Sequence, residues 1–150
     1  MRFVLQRVLD ARVDVDGKTV GKIGKGYLLL AGVSGDDNFE IADKMIEKVA
    51  RLRLFEDAEG KTNLSSEQVS AEILVISQFT LYADCRKGNR PSFTEAGTPQ
   101  MANEIYEHIV SRCRELFSKT QTGIFGAEMK VSLTNDGPFT VVLDSKEIVK

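Results

Sequence analysis

Histidine is nearly absent from this chain: His108 is the only one in 150 residues. That scarcity excludes a histidine-rich zinc site and leaves one weak candidate for a Ser-His-Asp relay. His108 falls between Glu104 and Arg112 on a predicted helix, where a solvated helix face is the expected setting. Cysteine is almost as rare. Cys85 and Cys113 have neither the number nor the spacing of a disulfide framework or metal site, and Cys113 lies on an apolar helical stripe that predicts a core thiol. There is no Walker loop and no Gly-x-Gly-x-x-Gly between a strand and a helix. Gly21, Gly24 and Gly26 are followed by no helix and read as tight turns. The Asp36-Asp37 and Glu56-Asp57 pairs sit in hydrophilic loops, so neither a metal nor a cofactor is expected.

A basic excess is missing too. Lys plus Arg number 20 against 22 Asp plus Glu, a net charge of -2, whereas nucleic-acid binders usually gain their affinity from surplus cations. Any RNA contact must come from a local patch. No apolar run reaches the roughly 20 residues of a membrane span. The first residues, Met1 to Arg7, carry charge within their apolar run and have no signal-peptide pattern, so the expected location is the cytoplasm. An enzyme of this composition has to work through backbone dipoles, hydroxyls and substrate positioning.

What is present predicts one compact domain over residues 1–150, since 42% of the chain is hydrophobic and no linker divides it. Phe3 to Val15 alternate loosely as in a half-buried strand, Asp16-Gly17 supplies a hairpin turn, and Thr19, Val20 and Ile23 begin the return. Tyr27 to Val33 is a continuous apolar run, a strand buried on both faces. Phe39, Ala42, Met45, Ile46, Val49 and Leu52 recur at helical spacing. Residues 56 to 70 read as a loop with at most one short strand, and Ile73-Leu74-Val75-Ile76 as another buried strand. Thr98-Pro99 marks a helix start, and the helix carries Met101, Ile105, Ile109, Cys113 and Leu116 on one stripe. Glu128 to Leu133 and Phe139 to Leu143 read as two final strands. The order predicts an α+β fold: a curled, largely antiparallel, barrel-like sheet with two main helices packed against it.

Two segments stand out. At Ser77-Gln78-Phe79-Thr80-Leu81 a buried strand turns suddenly polar, then offers a phenyl ring and a hydroxyl. A strand leaving the core with alternating faces accounts for the pattern taken alone. Downstream, Arg86, Lys87 and Arg90 crowd one predicted loop, which suits either a solvated surface or phosphate contacts. The second segment is Asn135-Asp136-Gly137-Pro138-Phe139-Thr140. Glycine frees the backbone and proline lowers the cost of a cis peptide, so the dipeptide can turn both carbonyls one way. An ordinary hairpin turn fits the composition equally well.

Together these segments resemble the two hallmark motifs of the D-aminoacyl-tRNA deacylase family. Gln6-Arg7-Val8, Arg90-Pro91-Ser92-Phe93 and Gln121-Thr122-Gly123 resemble further family stretches, in the same order along the whole chain. The resemblance implies a homodimer with its active site at the subunit interface, and a substrate pair of D-aminoacyl-tRNA and Gly-tRNA. It implies a cis Gly137-Pro138 peptide reaching into the partner's pocket, with both carbonyl oxygens toward the substrate's α-ammonium. The L side chain would then collide with main chain while a D side chain points outward, so selection rests on repulsion of the wrong hand. Arg7 would steady the Gly-Pro element, with Asn135 and Thr140 beside it. Ser77, Gln78, Phe79 and Thr80 would line the ester end, with the Phe79 and Thr80 amides as oxyanion donors. Thr80 is either a nucleophile or a positioning group, and the lack of a visible base favours positioning.

Three rival readings carry their own signatures. A non-catalytic aminoacyl-RNA binding module would share the pocket but release no amino acid. A relaxed deacylase would also clear L-aminoacyl esters. A scaffold would be indifferent to Thr80→Ala and Gly137→Ala.

Overall fold

One long strand organises the molecule. In the computed structural model, which describes residues 1–150, β1 (Arg2–Val15) has partners along both edges. On one edge its first half pairs antiparallel with β3 (Gly26–Gly32), from Arg2↔Gly32 to Val8↔Gly26. Its second half pairs on that side with β2 (Lys18–Ile23) through the Asp16-Gly17 turn. Along the other edge runs β8 (Lys130–Asp144), antiparallel from Arg2↔Asp144 to Asp14↔Lys130.

The sheet continues from β3 to β6 (Glu72–Ser77) and β7 (Lys119–Thr122), both joined parallel to their neighbour. A parallel pair needs a long crossover. α1 (Phe39–Arg51) and α2 (Pro99–Leu116) supply the two crossovers, so the sheet is mixed at this end and antiparallel around β1. β2 and β7 come into contact across the opening, leaving the sheet nearly closed into a barrel.

Two cores follow from the alternation of side chains along the strands. Phe3, Leu5, Leu29, Ile73 and Val75 face outward against Ala42, Met45, Ile46 and Val49 of α1 and Ile105, Ile109 and Cys113 of α2. Val8, Val13, Ile23, Leu28, Leu74 and Ile76 fill the inside of the curl. β3 and β6 serve both cores, which explains their unbroken apolar runs.

The helices start where capping chemistry dictates. Asn38 accepts the Ile41 amide at 2.9 Å, and Thr98 accepts the Met101 amide with Pro99 in the first helical position, each cap contributing about 1 kcal/mol. The stretch read over 56 to 70 as a loop with at most one short strand holds β5 (Thr62–Leu64), which pairs with β4 (Phe55–Glu56) at its edge. A short helix, α3 (Ser145–Ile148), caps the end of β8.

One expectation needs correcting. The final strands do not flank a hairpin turn: β8 is a single strand whose two halves lie collinear along β1. The register passes from Gln6↔Thr140 to Val8↔Asn135, so Asp136, Gly137, Pro138 and Phe139 all stand opposite Arg7. The Gly-Pro segment is a bulge lifted from a strand, and bulges of this kind aim a few residues away from the ladder.

Candidate active site

The first site segment begins where β6 ends. The Gln78 amide still donates to Ala31 O at 2.8 Å as a continuation of the β3 pairing. Gln78 then adopts φ -142 and ψ 81, and a 3-10 turn follows over Phe79–Tyr82, closed by Leu81 N to Gln78 O at 3.2 Å and Ala83 N to Thr80 O at 3.0 Å. The opening N–H groups of a helical turn have no partner inside it. Those of Phe79 and Thr80 have none elsewhere in the chain. The Gln78 side-chain amide donates to the Thr80 hydroxyl oxygen, and no base approaches that hydroxyl. Thr80 is held as a hydrogen-bonded polar group and lacks the arrangement of an activated nucleophile.

Beside this turn lies a cavity of about 590 Å³. Ser77, Gln78 and Phe79 line it together with Phe93, Phe125 and Met129. The Phe79 ring meets Phe93 edge-on at 5.0 Å between centroids and is 55% exposed, so it stands at the mouth. Thr80 does not line the cavity.

The second segment is the β8 bulge. Asn135 closes its base as a strand neighbour would: its Oδ1 accepts the Phe139 amide at 2.6 Å, and its Nδ2 donates to Phe139 O at 3.4 Å and to Thr140 Oγ1 at 3.2 Å. Arg7, only 5% exposed, holds the crest from below. Its Nε donates to Asp136 O at 3.0 Å, its other arm donates to Leu54 O at 2.7 Å, and the guanidinium lies 4.7 Å from the Phe139 ring centre. The Asp136 carboxylate sits 3.6 Å from the same Nε. Above this support the Gly137–Pro138 peptide is cis and both residues are exposed. Gly137 has φ +144, and a Cβ there would stand 3.0 Å from Phe139 N and 3.4 Å from the Arg7 guanidinium. Only glycine fits that position without strain.

Within one chain the two segments are not joined. Gly137 and Pro138 line no part of the cavity beside Ser77 and Phe79.

The basic loop is organised rather than loose. Asp84 and Ser92 pair as an isolated bridge at 2.7 and 2.9 Å. Arg86 folds back onto the Asp84 carboxylate through two side-chain contacts of 2.8 Å, with Glu95 at 4.0 Å. These side-chain bonds, with the Arg86 backbone amide, pull the Asp84 carboxyl down to about 2. Lys87 and Arg90 have no carboxylate partner and border a polar hollow of about 490 Å³ with Asp84, Arg86 and Ser92. The three cations are therefore not equivalent.

His108 departs from expectation. Its Nε2 lies 2.7 Å from Asp43 and its ring stacks on Phe39 at 4.7 Å, so it bridges α1 and α2 where a solvated helix face was expected. Cys113 is fully buried in the outer core, as its position on the helical stripe predicts. No helix is long and apolar enough to cross a membrane.

The rest of the cavity lining carries no pattern in the sequence that assigns it to the site, although Phe93 closes the family-like stretch Arg90-Pro91-Ser92-Phe93. Phe93 comes from the basic loop, and Phe125 and Met129 from the connection between β7 and β8, two stretches with no shared periodicity. Leu54, whose carbonyl anchors Arg7, carries no local signal at all. Asn135, expected beside the Gly-Pro element, takes a bracing role that only the bulge reveals.

A nearly closed α+β sheet, two unpartnered amides at the end of one strand and a braced Gly-Pro bulge on another define the class: a small α+β protein whose two distinctive segments present main-chain groups. A family model described as D-Tyr-tRNA(Tyr) deacylase matches residues 4–144. A D-aminoacyl-tRNA deacylase of Thermosipho africanus is 53% identical over 148 residues, 99% of each chain. One of Lactobacillus acidophilus is 56% identical over 144 residues, 96% of this chain and 99% of the relative. Among solved structures, a c-Myc DNA unwinding element binding protein superposes with a TM-score of 0.91 at 37% identity, covering 96% of this chain and 98% of that one. A probable eukaryotic D-amino acid tRNA deacylase superposes at 0.83, with 16% identity over 95% and 97% of the two chains, and so shares the fold. The chain belongs to the D-Tyr-tRNA(Tyr) deacylase family.

Proposed function

We propose that this protein hydrolyses the ester between a D-amino acid and the 3′ end of tRNA, and clears glycyl-tRNA by the same route. It acts as one domain over residues 1–150, paired with a second copy, in the cytoplasm. The observation that carries this reading is the presence, in a member of this family, of free Phe79 and Thr80 amides beside a cavity together with a Gly-Pro bulge held from beneath by Arg7.

The ester carbonyl enters between the two amides, which donate to the tetrahedral oxyanion as it forms. Water oxygen bonds to the carbonyl carbon, the ester C–O bond breaks, and the leaving ribose oxygen takes the proton that water gives up. The neighbouring ribose hydroxyl relays that proton. Thr80 and Gln78 align the reactants, which suffices for an ester already activated for transfer. The apolar, aromatic cavity receives the terminal nucleoside, whose flat base suits Phe93 and Phe125. No metal or cofactor takes part in this scheme.

Chirality is judged by the bulge. Its exposed crest is lifted from its own strand and away from its own cavity, so it serves a second copy's pocket. There the Gly137 and Pro138 carbonyls accept from the α-ammonium, and main chain occupies the space an L side chain needs. Glycine has no side chain to repel and passes the filter. Arg7 and Asn135 hold the crest, with Thr140 at its foot. Lys87 and Arg90 take backbone phosphates of the acceptor end, while Arg86 shapes their loop.

The test is release of amino acid from D-Tyr-tRNA, L-Tyr-tRNA and Gly-tRNA by purified protein. Loss of the D-ester and the glycyl ester with the L-ester intact is expected. Loss of all three would overturn the chiral filter, and release of none would replace hydrolysis by binding alone.

A further inference from the structure

The amides of Phe79 and Thr80 sit on a four-residue 3-10 turn, an element with poor hydrogen-bond geometry and little rigidity of its own. What aims it lies outside it. Arg2, at the start of β1, sends one guanidinium nitrogen to Leu81 O at 3.0 Å, and its guanidinium carbon lies 4.7 Å from the centre of the Tyr82 ring. Its Nε donates to the Asp144 carboxylate at 3.0 Å. Asp144 is itself fixed, since its other oxygen accepts the Lys146 amide at 2.9 Å. Tyr82 is buried, and Leu81 packs so closely on Gly32 that a Cβ there would come within 2.9 Å of it. The turn is thus clamped through Leu81 and Tyr82 in its C-terminal half, and the amides of Phe79 and Thr80 in its N-terminal half are left without partners in the chain.

We propose that Arg2, held by Asp144, is a positioning residue that sets the direction of the Phe79 and Thr80 amides, an inference resting on the reading of those amides as oxyanion donors. A half-exposed ion pair such as Arg2–Asp144, with the Arg2 side chain 35% exposed, adds little to stability. Its value lies in the fork: a planar guanidinium reaches carbonyl and carboxylate from separate nitrogens while lying over a ring, a fixed geometry that a single ammonium nitrogen lacks. Strand β1 then braces both site segments, with Arg2 under the ester end and Arg7 under the Gly-Pro crest. Alternation along the strand sends these two side chains to opposite faces.

Arg2→Ala, Arg2→Lys and Asp144→Asn are compared with the wild type on D-Tyr-tRNA, with rates normalised to the folded fraction measured by circular dichroism. Arg2→Ala is expected to lower kcat roughly ten- to a hundred-fold, because a misplacement of about 1 Å is that costly. KM should stay within about two-fold, because uniform binding is untouched. The ratio of D- to L-ester hydrolysis should not change, since the filter stands on the other segment. Arg2→Lys should recover only part of the rate, and Asp144→Asn should fall between. In amide NMR spectra the Phe79 and Thr80 peaks should move in Arg2→Ala while the Gly137 peak stays. A wild-type kcat in Arg2→Ala, a loss that vanishes on normalisation, or unmoved Phe79 and Thr80 peaks would overturn the inference alone. A wild type without turnover would instead remove the hydrolytic reading, and this inference with it.

Discussion

The Arg7 guanidinium lies 4.7 Å from the centre of the Phe139 ring, and its Nε donates to the carbonyl of Asp136 at 3.0 Å. One buried cation thus grips both feet of the Gly-Pro crest. Arg7→Ala leaves the Asp136 and Leu54 carbonyls without their donor and removes packing under Phe139. A loss of about 2–4 kcal/mol of stability is expected, read by urea unfolding, along with a fall in discrimination against L-Tyr-tRNA. Arg7→Lys should rescue little of either, because a point charge cannot reach both carbonyls in the guanidinium geometry.

Gly137→Ala places a methyl group 3.0 Å from Phe139 N at φ +144. Backbone strain of this kind costs about 1–3 kcal/mol, and relief would come by tilting the crest. Turnover of D-Tyr-tRNA should fall while tRNA binding, measured by filter retention, holds.

Phe79→Pro and Phe79→Ala both remove the ring, but only proline removes the amide. The position suits proline, since it opens the turn and its N–H bonds to nothing in the chain. If the amide stabilises the oxyanion, kcat of Phe79→Pro should lie roughly a hundred- to a thousand-fold below that of Phe79→Ala. Equal rates would remove Phe79 from the oxyanion site.

Salt dependence should separate the three cations of the loop. Lys87→Ala and Arg90→Ala should each flatten the slope of log K against log salt by about one for each phosphate left without its cation. Arg86→Ala should change it less, because Asp84 already neutralises that charge. The Asp84 carboxyl is held at about 2, below its ordinary 3.8. The Asp84–Arg86 pair is therefore fully formed above about pH 4 and breaks only as pH falls through about 2. The slope should be constant across neutral pH.

The thiols offer a check on the core. Burial pushes the Cys113 thiol up to about 12, and Cys85 is exposed. Native protein should react with one equivalent of a thiol reagent and denatured protein with two.

Most of the frame was legible because it is written in local pattern. The apolar run at Tyr27 to Val33 and the stripes of α1 and α2 carry their own periodicity, and Thr98-Pro99 carries its own cap. The two parallel pairings were not, since a strand does not record which neighbour a crossover helix will bring beside it. The Gly-Pro bulge reads as a turn in the sequence because turn and bulge use the same residues. Only pairing with β1 distinguishes them, and that pairing joins opposite ends of the chain. Ser77 to Thr80 stood out by their polarity, whereas the lining that Phe93, Phe125 and Met129 add beside them exists only after folding. His108 lies on its helix as the pattern predicts, but its partners Asp43 and Phe39 come from another helix.

The central claim is that each pocket needs the Gly137-Pro138 crest of a second copy, and subunit mixing tests it directly. Gly137→Val carries an intact ester end and Phe79→Pro an intact crest. Unfolded together and refolded, they should yield mixed pairs in which one of the two pockets is whole. D-Tyr-tRNA hydrolysis should then return to about a quarter of the wild-type rate, as random pairing of two subunits gives. If the mixture stays as inactive as its components, the crest does not act across subunits and the account is contradicted.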